Sequence, residues 1–161
     1  MKRIVWCVLI TVIFVGCSKK EIESDLPVQI GQSRTEVKQI LGSPNRTGDD
    51  FDSFYDYGLV VDYGSKNEVA SITASRLKSG VEFRGRILGV VIGDPVTKCV
   101  ELWGNSDKWD ETPFEHSIVV FTHEGYRIEL EVWSKDGTDS SFGTFKSGEI
   151  KRIELSKQKS S

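Results

Sequence analysis

Residues 30–42 read IGQSRTEVKQILG and residues 92–104 read IGDPVTKCVELWG, and the two stretches align without a gap at an offset of 62. Ile30/Ile92, Gly31/Gly93, Thr35/Thr97 and Gly42/Gly104 are identical, and the apolar positions match in kind. Self-similarity of this length within one chain marks two copies of one unit. Each copy has helical periodicity. Val37, Ile40 and Leu41, like Cys99, Leu102 and Trp103, fall at i, i+3, i+4 and predict one apolar stripe per helix. Ser33 with Glu36 fits a capping box, whereas Asp94-Pro95 fits an N-cap followed by proline at the first helical position, so the two starts are expected to differ by one residue. Gly42 and Gly104 suit the left-handed residue that ends a helix, and Pro44 stops the first from continuing. Helices this short do not stand alone in water and must pack on something.

Working outward, each helix is followed by strand patterns. In the first copy residues 53–57 and 59–63 flank Gly58, and 68–74 follow the turn at Gly64 to Asn67. In the second, residues 117–122, 126–133 and 149–155 sit around His123-Glu124-Gly125 and Lys146-Ser147-Gly148. The last strands match again, Glu68-Val69 and Ile72 against Glu149-Ile150 and Ile153, now at an offset of 81. The second copy therefore carries extra residues, placed in 107–115 and 134–145. Residues 81–87 between the copies are expected to add a strand. The fold class is α+β: two tandem repeats of a short helix followed by an antiparallel β-meander, with the helices packed on one sheet face.

The beginning of the chain speaks of location. Lys2 and Arg3 precede an apolar run from Ile4 to Val15, too short for a comfortable membrane span and suited to a signal-peptide core. It closes on Phe14-Val15-Gly16-Cys17, which resembles the lipobox of bacterial lipoproteins, with Phe14 where Leu is usual. The resemblance implies that Cys17 is acylated (palmitate or a similar chain) and becomes the mature N-terminus, lipid-anchored in a bacterial envelope. Ser18 after it is compatible with sorting to the outer membrane, facing the periplasm. The organisation expected is a leader at 1–16, lipidated Cys17 with a polar tether at 17–27, a first repeat at 28–75, a connecting segment at 76–91, a second repeat at 92–155 and a polar tail at 156–161. A tether of about ten residues at ~3.5 Å each keeps the fold within roughly 35 Å of the bilayer, so a partner should lie near the same membrane.

Lys2 and Arg3 leave with the leader, so 21 Lys+Arg become 19 against 24 Asp+Glu. That acidic balance argues against nucleic acid as a partner. Of the three cysteines, Cys7 belongs to the leader and Cys17 to the lipid, which leaves Cys99 without an internal disulfide partner.

A tandem Ile-Gly-x-Ser-x-x-x-Val-x-x-x-Leu-Gly-x-Pro helix followed by a meander resembles the SmpA/OmlA and β-lactamase-inhibitor-like group, over roughly residues 28–155. The second copy departs from the motif, with Asn105-Ser106 after its glycine. The resemblance implies a non-enzymatic protein-binding module in envelope or outer-membrane assembly and scaffolding. The alternative it implies is an immunity or inhibitor lipoprotein that neutralises a toxin or hydrolase.

The residues themselves point to no catalytic site, metal or cofactor. Cys99 lies on the apolar stripe and reads as a buried structural thiol, not half of a Cys–His pair. His116 and His123 have no ligand spacing. Asp49-Asp50-x-Asp52 resembles the start of a calcium loop but lacks its later Gly and distal Glu, and reads as a solvated acidic loop. The aromatics carry more. Alternation along 126–133 puts Tyr126, Ile128, Leu130 and Val132 on one face, and Arg127, Glu129, Glu131 and Trp133 on the other. A Trp among charges on an open sheet face has the composition of a protein-binding hot spot; the equal alternative is that Trp133, at a strand end, tucks under the 134–145 insertion. Trp109, in what reads as a Lys108-Trp109-Asp110 loop, and Phe51 and Phe54 in the acidic loop are further candidates, with local packing the stronger alternative for each.

Overall fold

The computed structural model describes residues 25–75, 81–111, 116–133 and 148–158. The leader, Cys17, most of the tether and the 134–145 insertion lie outside the described residues. The chain folds as α+β, with two α-helices, α1 (Arg34–Leu41) and α2 (Val96–Trp103), and one eight-stranded antiparallel sheet. The strands are β1 (Arg46–Thr47), β2 (Phe51–Phe54), β3 (Leu59–Tyr63), β4 (Val69–Ser75), β5 (Lys108–Glu111), β6 (His116–His123), β7 (Tyr126–Trp133) and β8 (Glu149–Lys157), in spatial order β1-β2-β3-β4-β8-β7-β6-β5.

Both helices begin at the same place in the aligned segment. Ser33 caps α1 in a full capping box: its Oγ accepts from the Glu36 amide, and Glu36 Oε2 accepts from the Ser33 amide at 2.8 Å. Pro95 occupies the equivalent cap of α2, with no side-chain bond. The expected Asp94 cap does not form, because its carboxylate accepts instead from the Val91 amide at 2.8 Å and from Lys98 Nζ at 2.7 Å. Gly42 (φ 83°, ψ −158°) and Gly104 (φ 89°, ψ −162°) end the helices in an extended, positive-φ region and not in the left-handed helical one. A β-carbon at either would meet nothing within 4 Å, so glycine is required there by conformation alone.

The buried stripes differ from the expected ones. Ile40 and Leu102 point outward, 46% and 37% exposed, while Val37, Leu41, Val96, Cys99 and Trp103 are buried. The inward face of α1 runs through Arg34, Val37, Lys38 and Leu41. Apolarity at i, i+3 could not show that two basic residues share the inner side.

The backbone around each helix entry is tied down by matching hydrogen bonds. Gly31 N–H donates to Val69 O, Val69 N–H to Gln32 O, and Arg34 N–H to Asn67 O. Gly93 donates to Ile150, Ile150 to Asp94, and Val96 to Gly148 in the same way. The strand register also shifts alike, between Asp62 and Tyr63 in β3 and between Glu131 and Val132 in β7, leaving Ala70 and Lys151 as the extra residues on β4 and β8. Counting from these bulges and through the pairing, Tyr63 corresponds to Val132, Asp52 to Val119 and Thr47 to Trp109.

Other corrections are local. Tyr55–Tyr57 turn as a 3-10 helix instead of extending a strand from residue 53, and β2 starts earlier, at Phe51. Lys108–Glu111 is a strand and not a loop. Residues 81–87 add no strand to the sheet, although Phe83 and Ile87 are buried in the core. β8 runs to Lys157, inside the stretch expected as a polar tail. The turn Glu124-Gly125 has positive φ at both residues (50° and 81°), the geometry a two-residue hairpin demands. Leu59, Val61, Ile72, Ala74, Val119, Phe121, Ile128, Leu130, Val132, Ile150 and Ile153 form the sheet's side of the core, with Val37 and Cys99 from the helices, all essentially inaccessible.

Candidate functional site

β7 presents its polar side chains on the face opposite that core. Ile128, Leu130 and Val132 are fully buried, Arg127, Glu129 and Glu131 are half-buried, and Trp133 is 39% exposed. β8 completes the surface, since its register sets Glu154 beside Glu129 and Arg152 beside Glu131. The two facing glutamates are reconciled by arginines. Arg127 meets Glu129 at 2.8 Å, and Arg152 meets Glu154 at 2.8 Å, Glu129 at 3.6 Å and Glu131 at 3.8 Å. Pairs this exposed are each worth roughly 0–1 kcal/mol, so the network orders the face more than it stabilises the fold.

Trp133 is held at the end of this ladder. Its Nε1–H donates to Glu131 Oε1 at 2.7 Å, and its ring stacks on His116 with centroids 5.9 Å apart and planes 22° apart. A large exposed aromatic fixed on two sides loses little freedom on binding. Trp109 is not part of this surface. It sits opposite Val119 in β5, half-buried against the core on the other side of the sheet. The sequence-derived set therefore divides: Arg127, Glu129, Glu131 and Trp133 come together, and Trp109 lines a separate cleft of about 440 Å³ with Val96 and Val100.

A second polar constellation lies inside. Asp52 is fully buried, not part of a solvated loop. Its carboxylate accepts from Arg34 Nε (2.8 Å) and Nη2 (2.7 Å), from Thr47 Oγ1 (2.9 Å) and from Tyr63 Oη (3.1 Å), with Lys38 Nζ at 3.6 Å. Arg34 also donates to the carbonyls of Gly48, Asp49 and Phe51 at 2.9–3.1 Å and lies 4.8 Å from the Tyr63 ring centre. Of the three acids that resembled a calcium loop, Asp52 thus holds a guanidinium with its carboxylate and Asp49 contributes a backbone carbonyl to it. Burial pushes the Asp52 carboxyl up, but hydrogen bonds from Arg34 and Thr47 and the nearby positive charges outweigh it and hold the group below the usual carboxylate range. Burial, with the Asp52 charge, pushes the Tyr63 phenol well above its ordinary value.

His116 and His123 stand at opposite ends of β6, about 23 Å apart along the strand, so they do not share a site. His123 packs near Trp103, which itself sits edge-on to Phe121 and donates to Leu88 O at 3.0 Å. Burial pushes the Cys99 thiol up to about 12, which makes it an inert core group. Among the described residues no three His, Cys, Asp or Glu side chains gather as metal ligands, and no helix is long and apolar enough to cross a membrane.

Sequence reasoning missed Arg152 and Glu154, although the alternation of Arg152, Glu154 and Ser156 against Ile153 and Leu155 carries the signal. It also missed Arg34, whose signal was its alignment on Val96 in residues 92–104. No protein-family model, curated protein or solved structure matches this chain.

Proposed function

We propose that the chain is a bacterial envelope lipoprotein, anchored by acyl chains on Cys17, that acts as a non-enzymatic protein-binding module in envelope or outer-membrane assembly. Its fold is read as two tandem copies of one helix-plus-meander unit, with both helices on one sheet face and the partner on the other. The matching hydrogen bonds at the two helix entries and the shared bulge support the tandem reading. The observation that carries the binding role is Trp133, exposed yet held by Glu131 and His116 at the edge of an ordered charged face. Such a pre-set aromatic within a polar surround is the arrangement found at energetic centres of interfaces.

The anchor limits the partner's position. Asp25 is already docked, its amide donating to Arg86 O at 2.8 Å and its carboxylate accepting from the Arg86 amide at 3.0 Å. Seven residues, 18–24, then separate Cys17 from the fold, a reach of about 25 Å at most. The partner accordingly lies in or close against the same membrane. Fractionation tests the anchor: Cys17→Ser should move the protein from membrane to soluble fraction, and unchanged retention contradicts it. For the face, Trp133→Ala should weaken recovery of the partner from solubilised membranes while leaving thermal unfolding unchanged. Loss of folding would instead make Trp133 part of the core.

A further inference from the structure

The sheet's two ends are finished differently. At the β1 end the terminal strand is two residues long, and the space beneath it is filled by Arg34 and Lys38 reaching Asp52. At the β5 end the terminal strand is four residues long, and Val96 and Val100 replace those basic side chains, leaving the cleft against Trp109 open. Among the described residues β5 has a neighbour on one side only, so its other row of backbone groups lacks a strand partner.

The geometry points to β5 as the joint of a symmetric dimer, in which a second copy of this chain adds its β5 antiparallel to the first. Charge complementarity selects this occupant and its register. Lys108 and Asp110 lie on the outward face, 63% and 48% exposed, and Trp109 lies on the inward one. A two-fold axis perpendicular to the sheet keeps each face with its like. Centring the joint on Trp109 sets Lys108 opposite the partner's Asp110 at both ends, an alternating square of charges. Sliding by two residues in either direction opposes Asp110 to Asp110 or Lys108 to Lys108, and sliding by one sets Trp109 against a charge on the wrong face. On the inward side the two Trp109 rings meet and close the two clefts lined by Val96 and Val100. One short strand and one cleft make a small interface, so association is weak and concentration-dependent. This joint leaves the Trp133 face of both copies on the same side and does not depend on what that face binds.

Sedimentation equilibrium of the full chain in density-matched detergent, from micromolar to hundreds of micromolar, tests the joint. The wild-type chain should dimerise, and Lys108→Asp or Asp110→Lys should each weaken dimerisation about tenfold or more. Combining both exchanges in one chain should restore it. Mixing the two single variants, one acidic and one basic along this edge, should restore it as well, which also shows that both fold. A chain that stays monomeric throughout overturns the proposal and leaves the edge to a strand of another protein. A dimer indifferent to the single exchanges places the contact elsewhere and overturns it too.

Discussion

Beneath α1, a guanidinium and a carboxylate meet at 2.7 Å with Thr47, Tyr63 and Lys38 around them; the corresponding positions beside α2 are Val96, Val100, Trp109, Val119 and Val132. On the opposite face of the sheet the contrast reverses. β7 and β8 display Arg127, Glu129, Glu131, Arg152 and Glu154, where β3 and β4, with Gly58 just before β3, have Val60, Asp62, Ser71 and Thr73. Charge is thus tolerated on either side of the sheet, provided every buried charge is paired and hydrogen-bonded. Beside α1 an ion pair, Arg34 with Asp52, lies in the interior, whereas the core beside α2 is apolar and the charges of β7 and β8 lie outward with Trp133. On the reading proposed above, that outward charged face is the one that meets a partner.

The contrast is broken most severely by removing the buried acid. Asp52→Ala leaves Arg34 without its counter-charge and should cost about 3–5 kcal/mol in urea unfolding at neutral pH. Replacing both members, Arg34→Val with Asp52→Val, copies the second half and should cost far less, or even stabilise by about 1–4 kcal/mol, since buried ion pairs seldom outperform apolar packing. A double change as costly as the single one would mean that the halves are not interchangeable.

pH sharpens the same contrast. The folded Asp52 carboxyl lies below its ordinary value, so its contribution is present above the unfolded pKa of ~3.9 and is lost as pH falls from there through the folded value. The raised Tyr63 phenol works on the other limb. Its contribution is complete below the unfolded pKa of ~10 and is lost as pH rises toward the folded value. Stability curves of the double-valine chain should be flatter in acid, and Tyr63→Phe should flatten the alkaline limb.

Where the halves agree, they should respond alike. Gly42→Ala and Gly104→Ala each force a side chain into a region that glycine alone enters readily, and each should cost of order 1–3 kcal/mol, with similar values at the two sites. The smallest effect on stability belongs to Trp133→Ala, within about 0.5 kcal/mol as for a surface substitution, even though binding is expected to suffer.

Much of this was legible in the residues. The offset alignment located both helices, and period-two alternation sorted β7 correctly: Ile128, Leu130 and Val132 went inward, Arg127, Glu129 and Glu131 outward. The buried cluster was not legible, because an aspartate in a run of Asp49, Asp50 and Asp52 carries no local sign of burial. A distant arginine on α1, with Thr47 and Tyr63, makes it possible. β1 and β5 escaped for a related reason. Strands of two and four polar-rich residues have too little alternation to register, and they exist because β2 and β6 offer a pairing edge. Trp109 was misplaced with Trp133 because a loop has no face, whereas a strand residue opposite Val119 must point into the core.

On the reading proposed above, the outward face that carries Trp133, and not the one that carries Val60, meets a partner near the membrane. Photo-crosslinking in intact cells tests it most directly, with a photoreactive phenylalanine analogue at Trp133 in one chain and at Val60, on the first half's outward face, in another. A discrete adduct to a membrane-associated protein from position 133, with none from position 60, is the predicted result. Adducts from position 60 with none from position 133, or equal labelling from both, would contradict the account.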